Sequence, residues 1–222
     1  MKNIIEIYNL RDNVEKNNFN NDLYFFNTNF ERYKIIFKIL YRKWGNYSSY
    51  KNKKLLEIGA GTGNNLLEFM KLGFEKENIF ANEINPNRSS KLLEKIDIDN
   101  IFFGDALDIV TKKKFDVILV STVFTSILNY DIKNKIAIKM FDLLNSNGII
   151  IWYDFKFNNP NNKNVKGIKK SEIKKMFSRT KKIKFYNVTL APPIGRRFPT
   201  LYNLINLLPF LRTHLLAIIH KK

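Results

Sequence analysis

The sequence predicts an α/β fold: a doubly wound, open sheet of mostly parallel strands with helices on both faces. Three observations lead there. From residue 54 onward, apolar runs of strand length alternate with stretches of helical spacing. The run 115–120 is nearly continuously apolar, as expected of a parallel strand covered on both faces. A glycine turn, Gly59-Ala60-Gly61-Thr62-Gly63, stands directly after one such run and opens a helical segment. With 222 residues, 45% of them hydrophobic, the chain fits one domain with a full core.

The elements follow in order. Residues 28–44 carry Phe30, Tyr33, Ile36, Phe37, Leu40, Tyr41 and Trp44 at helical spacing, and Gly45 ends that helix. Strands are expected at 54–58, 78–84, 101–103, 115–120, 149–153, 182–190 and 215–219. Helices are expected at 64–72, 87–96, 131–144 and 171–177, with Asn147-Gly148 turning into the fifth strand. Ligands of such sheets sit beyond the carboxyl ends of the strands. Residues 191–213 are too long for a hairpin loop. They carry Pro192-Pro193, Arg196-Arg197 and an apolar helix-like run at 201–208, and read as a substrate cap.

Charge and composition narrow the function less than they first promise. The net charge of +18 invites nucleic acid, an anionic membrane or phosphorylated substrates as partners. Yet the lysines are spread along the chain, as AT-rich codon usage would place them, with clusters only at 112–114 and 163–184. The chain has no cysteine, which excludes disulfides, thiolate nucleophiles and cysteine-ligated metals. No set of histidines and carboxylates has metal-ligand spacing, so no metal is expected. The first residues lack the apolar run of a signal peptide, and 201–219 is broken by Pro209, Arg212 and His214. A cytoplasmic protein is expected, with peripheral contact to a membrane face left open.

The glycine turn favours one ligand class. Gly59 and Gly61 permit positive φ and a close backbone approach. A dinucleotide turn wants G-x-G-x-x-G, whereas here Gly63 arrives one residue early and Asn64 follows it. Glu57, two residues before the first glycine, would gain a pyrophosphate nothing. The α-ammonium of a cationic amino-acid ligand would gain from it, which tips the choice from a nicotinamide dinucleotide toward S-adenosylmethionine. Glu83, before Ile84 at the end of the second strand, can accept from two ribose hydroxyls. Gly104-Asp105-Ala106 ends the third strand, where a carboxylate can accept from an adenine amino group; the competing reading of Asp105 is ordinary turn chemistry.

Across roughly residues 50–155 the sequence resembles the class I S-adenosylmethionine-dependent methyltransferase family. The resemblance rests on the motif from Leu56 to Gly63, the strand-end Glu83, the Gly104-Asp105-Ala106 run, and the strand reaching Ser121-Thr122. It implies a Rossmann-like, seven-stranded sheet with an antiparallel last strand, S-adenosyl-L-methionine as cofactor, and in-line methyl transfer to a nucleophile. The implied cofactor residues are Glu57, Gly59, Ala60, Gly61, Gly63, Asn64, Glu83, Ile84, Gly104, Asp105, Ala106, Ser121 and Thr122. Segments 152–160, 165–168, 189–193 and 211–214 are similar to one bacterial group of these enzymes, associated with surface-glycan assembly. The chain then divides into an N-terminal helical cap (1–50), a cofactor-binding core (51–190), the substrate cap (191–213) and the last strand (214–222).

On the acceptor side, the fourth strand ends in Ser121-Thr122-Val123-Phe124, without the Asn/Asp-Pro-Pro-aromatic run of base-amino methylation. An oxygen nucleophile wants a base, and the candidates are Asp154, with Tyr153 beside it, and His214. Asn158, Asn159, Arg196 and Arg197 are candidate substrate contacts. The expected reaction is O-methylation of a small or carbohydrate-type acceptor, such as a nucleotide- or lipid-linked sugar or a glycan phosphate group. The alternatives are an RNA methyltransferase, favoured only by charge, and a non-catalytic cofactor-binding regulatory module.

Overall fold

A computed structural model describes residues 19–160, 162–180 and 182–221. Its framework is one seven-stranded sheet in the order β3-β2-β1-β4-β5-β7-β6. In chain order the elements are α1 (Phe19–Trp44), β1 (Leu55–Ile58), α2 (Asn64–Lys71), β2 (Ile79–Glu83), α3 (Ser89–Leu93), β3 (Ile101–Phe103) and β4 (Phe115–Ser121). Then follow α4 (Tyr130–Leu143), β5 (Leu144–Phe155), α5 (Lys170–Met176), β6 (Ile183–Leu190), α6 (Pro192–Arg197), α7 (Tyr202–Ile205) and β7 (Arg212–His220). β1 to β5 pair in parallel, and β7 lies antiparallel between β5 and β6. The α/β class, the strand count and the antiparallel last strand are as the sequence predicts.

Strand alternation sorts side chains into two cores, one on each face. Ile150 and Trp152 of β5 enter the core that holds Phe115, Phe124, Met140 and Phe177. Ile149, Ile151 and Tyr153 enter the other, with Ile36, Leu40, Tyr50 and Phe69. Trp152 is fully buried and meets Phe124 edge-on at 6.3 Å. Because β6 and β5 both oppose β7, their carboxyl ends share one edge with those of β1 to β4. The cap helices α6 and α7 therefore start from that edge.

Several expectations are corrected. Helix α1 begins at Phe19, well before residue 28. Its buried stripe is Tyr24, Thr28, Arg32, Ile36 and Leu40, spaced every fourth residue, whereas Phe30, Phe37 and Tyr41 are exposed. Apolar spacing misplaced the inner face because two of its positions are polar. The second expected helix is a 3₁₀ turn (Pro86–Arg88) and the short α3. Asn147-Gly148 is no turn, since β5 already starts at Leu144 and its register shifts between Phe115 and Val117. A Cβ on Gly148 would stand 2.6 Å from Leu144 Cγ, which is why this irregularity takes glycine. The last strand starts at Arg212, so His214 lies inside it. The first part of the expected N-terminal cap lies outside the described residues.

Candidate functional site

The glycine turn joins β1 to α2. Gly59 has φ +66 and Gly61 φ +59, left-handed conformations that side chains resist. At Gly59 space is forbidding as well, because a Cβ would stand 2.5 Å from Val123 Cγ2. Ala60 N–H donates to the Asn82 carbonyl (2.8 Å), tying the turn to β2. Gly63 precedes α2 in a left-handed conformation, and Asn64 opens the helix with its side chain accepting from Lys95 Nζ at 2.9 Å.

Glu83 clamps the turn from the end of β2. Its Oε2 accepts from Gly61 N–H at 2.6 Å and its Oε1 from Asn85 N–H at 2.7 Å. Each carboxylate oxygen retains further lone-pair capacity. Next to it stands Ile84, half-buried. Gly104 N–H donates to the Glu83 carbonyl at 2.9 Å, bringing the end of β3 alongside. Asp105 Oδ1 accepts from Leu107 N–H at 2.9 Å and caps the 3₁₀ turn Ala106–Asp108. Turn chemistry therefore accounts for one of its oxygens. Asn82, which sequence reasoning missed, donates to the carbonyls of Phe102 and Gly104 and locks β2 to the β3 end.

Glu57 heads a buried polar relay. Its Oε1 accepts from Asn65 Nδ2 at 2.6 Å, and Asn65 Oδ1 accepts from Tyr33 Oη at 2.7 Å and Arg32 Nη2 at 2.9 Å. Arg32 Nη1 continues to Ser121 Oγ at 3.2 Å, at the end of β4. The guanidinium lies 4.8 Å and 4.7 Å from the ring centres of Tyr33 and Tyr153. Two atoms of this relay are buried without a hydrogen-bond partner among the described residues: the acceptor Glu57 Oε2 and the donor Arg32 Nε. Burial pushes the Glu57 carboxyl up to about 8, against the opposing pull of Asn65 and Arg32. Arg32 and Asn65 were invisible to motif reading. Arg32 carries one signal, its place four residues before Ile36 on a stripe that is buried throughout.

Thr122 follows with φ +56, and its N–H donates to the Tyr153 carbonyl at 2.8 Å, fixing the β4 end against β5. Beyond it lie the acceptor-side candidates. Asp154 is buried, with Oδ1 accepting from Thr125 Oγ1 (2.7 Å) and Phe155 N–H (2.9 Å), and Oδ2 from Thr125 N–H (3.0 Å). Alternation along β5 sends it to the face opposite Tyr153, so it pins the loop after β4 and is not placed as a base beside Tyr153. Burial raises it to about 6 despite those bonds.

Tyr153 and His214 do meet, with rings stacked at 4.9 Å, and Phe155 lies against the imidazole at 3.8 Å. Burial, aided by Arg32 and Lys156, pushes His214 down to about 3. A ring so hard to protonate accepts a proton poorly at neutral pH. Tyr153 shares a 2.8 Å hydrogen bond with Thr189 Oγ1 and is pushed up to about 12 by burial, so its hydroxyl keeps its proton at neutral pH.

The cap is fastened by Glu31, another residue missed in sequence. Its Oε2 accepts from Thr189 N–H (3.0 Å) and Tyr202 Oη (2.7 Å), its Oε1 from Asn206 Nδ2 (2.8 Å). Asn158 Oδ1 accepts from Gly167 N–H at 2.9 Å and braces its own loop; Asn159 is exposed beside it. Arg196 and Arg197 are exposed, the first lying 5.8 Å from the Tyr24 ring and the second 6.0 Å from Phe198. Among the described residues no group of three or more His, Asp or Glu side chains is placed to hold a metal.

No protein-family model matches the chain, and no curated protein matches it in sequence. Solved structures do match. An S-adenosylmethionine-dependent methyltransferase from Mesorhizobium loti aligns at TM-score 0.60 and 8% identity, over 85% of this chain and 97% of that one. A methyltransferase of the same dependence from Archaeoglobus fulgidus aligns at 0.58 and 17%, over 85% and 94%. The N-methyltransferase NodS from Bradyrhizobium japonicum aligns at 0.57 and 15%, over 86% and 96%. At these identities the likeness is one of fold.

Proposed function

We propose that this chain is a methyltransferase that uses S-adenosyl-L-methionine. The observation that carries the reading is the buried relay with its two unpartnered atoms beside the glycine turn. An orphaned acceptor on Glu57 and an orphaned donor on Arg32 match the α-ammonium and α-carboxylate of an amino-acid moiety. The rest of the strand-end series fits the same molecule. Glu83 would hold the ribose hydroxyls with its remaining lone pairs, and Asp105 the adenine amino group with the oxygen not used in its cap. Gly59, Ala60, Gly61 and Gly63 would supply the backbone against which it lies, with Ser121 and Thr122 closing the β4 side.

When bound, S-adenosylmethionine supplies a methyl group on a sulfonium, electrophilic enough to react with an aligned lone pair. The chain's part is then to bind, orient and dry the site. Arg32 is held in place by hydrogen bonds to Asn29, Asn65 and Ser121. Tyr153, His214 and Phe155 form an aromatic wall with little proton-accepting capacity. Rate enhancement therefore comes from proximity and orientation rather than from a base on this wall. We assign the acceptor to small or carbohydrate-type molecules methylated on oxygen, carrying a phosphate or carboxylate that Arg196 and Arg197 can grip.

The test is a transfer screen with methyl-labelled cofactor over nucleotide-linked sugars, lipid-linked sugars and phosphorylated glycans. Label in an acid-stable product of one of these classes is expected. Label appearing only in RNA would transfer the chain to nucleic-acid methylation. Cofactor binding without transfer to any class would leave a binding module.

A further inference from the structure

We propose that the cap between β6 and β7 seats this protein on an anionic lipid bilayer. The cap inverts ordinary burial. On α7 and its flanks the polar residues face inward: Tyr202 and Asn206 are buried against Glu31, and Arg212 Nη2 donates to the Asn206 carbonyl at 2.6 Å. The apolar residues face outward. Phe198, Leu201, Leu204, Leu207, Leu208 and Phe210 are all exposed, Leu204 at 66%, Leu207 at 69% and Phe210 at 74%. A water-facing segment would reverse this arrangement, since a cluster of exposed large apolar groups marks an interaction surface.

Charge selects the occupant. Residues 191–213 contain arginines at 196, 197 and 212 and no acid, and Arg196 and Arg197 are exposed beside the apolar cluster. Apolar side chains flanked by long cations suit the headgroup boundary of an anionic leaflet, with the arginines at phosphate level. A second copy of the chain is the poorer partner, because each copy carries +18 and would bring that charge to the contact. No described helix is long and apolar enough to cross a membrane, so the face rests on the bilayer. The cap leaves from the carboxyl edge of the sheet, so docking turns that edge toward the lipid. The consequence for substrate, an acceptor presented at a lipid surface, rests on the methyltransferase reading; the docking itself does not.

Sedimentation with vesicles tests it, using phosphatidylcholine alone and an equal mixture with phosphatidylglycerol. The wild type is expected to bind the mixed vesicles and to bind phosphatidylcholine weakly. Leu204→Ser/Leu207→Ser/Phe210→Ser should lower partition by about tenfold or more, and Arg196→Gln/Arg197→Gln by about threefold to tenfold. Lys112→Gln/Lys174→Gln, exposed lysines outside the cap, should change it less than about twofold. Unaltered melting and cofactor affinity would show that the cap variants keep their fold. Absence of wild-type binding at low salt, or equal losses in the lysine and cap variants, would overturn the proposal. So would a lipid-free dimer that the leucine and phenylalanine substitutions dissociate.

Discussion

Glu57 is the residue whose state depends most on what fills the site. Burial lifts its carboxyl from 4.5 to about 8. Below both values the folded and unfolded chains each hold the proton. Between them only the folded chain holds it, so stability falls as pH rises from about 4.5 to about 8 and then levels. Glu57→Gln removes that cost. Its melting temperature should exceed wild type near pH 8, by roughly 2–4 °C per kcal/mol regained, and match it in acid. Cofactor affinity should fall in the same variant, the signature of a site kept at the expense of stability. No gain near pH 8 would show that Glu57 is not desolvated as described. His214 carries a second residue-scale expectation. With its imidazole pushed down to about 3, His214→Phe should retain transfer within about tenfold, and the rate should show no histidine inflection between about pH 5 and 8. A loss of a hundredfold or more would restore it as a base.

Among the elements, the turn after β1 and the loop after β4 are interlocked. Gly59→Ala would force a Cβ toward Val123 Cγ2 at a positive φ, costing roughly 1–4 kcal/mol, and Val123→Ala in the same chain should recover part of it. Full additivity in a double-mutant cycle on thermal melts would deny the contact. Asp154 plays the corresponding part across the sheet. Its oxygens accept from three donors, so Asp154→Asn presents an amide to at least one of them and should cost about 1–3 kcal/mol while cofactor affinity stays near wild type. The candidate cofactor residues were legible because Glu57 lies in β1, Glu83 ends β2 and Asp105 follows β3 by two residues, where local periodicity alone places them. The acceptor half was less so. Asp154 and Tyr153 are neighbours on β5 and alternate across it, so their side chains leave the strand on opposite faces. Arg32 and Glu31 act through contacts from the distant α1, which no motif encodes.

At the scale of the whole molecule, one sheet divides two cores and gathers the candidate site residues along its carboxyl edge. The succession of strands and helices followed from alternation in sequence, and the antiparallel last strand from family resemblance. The placement of β7 between β5 and β6 sets the cap against α1, so Glu31 can fasten it, and leaves the outward apolar face exposed among the described residues. That architecture makes the proposed cofactor binding testable apart from the proposed acceptor and lipid docking. The most direct measurement is a calorimetric titration of wild type and Glu83→Ala with S-adenosyl-L-methionine. One-to-one binding by the wild type is expected, with a loss of about tenfold or more in Glu83→Ala, whose clamp on Gly61 is gone. Equal affinity in the two proteins, or none in the wild type, would contradict it.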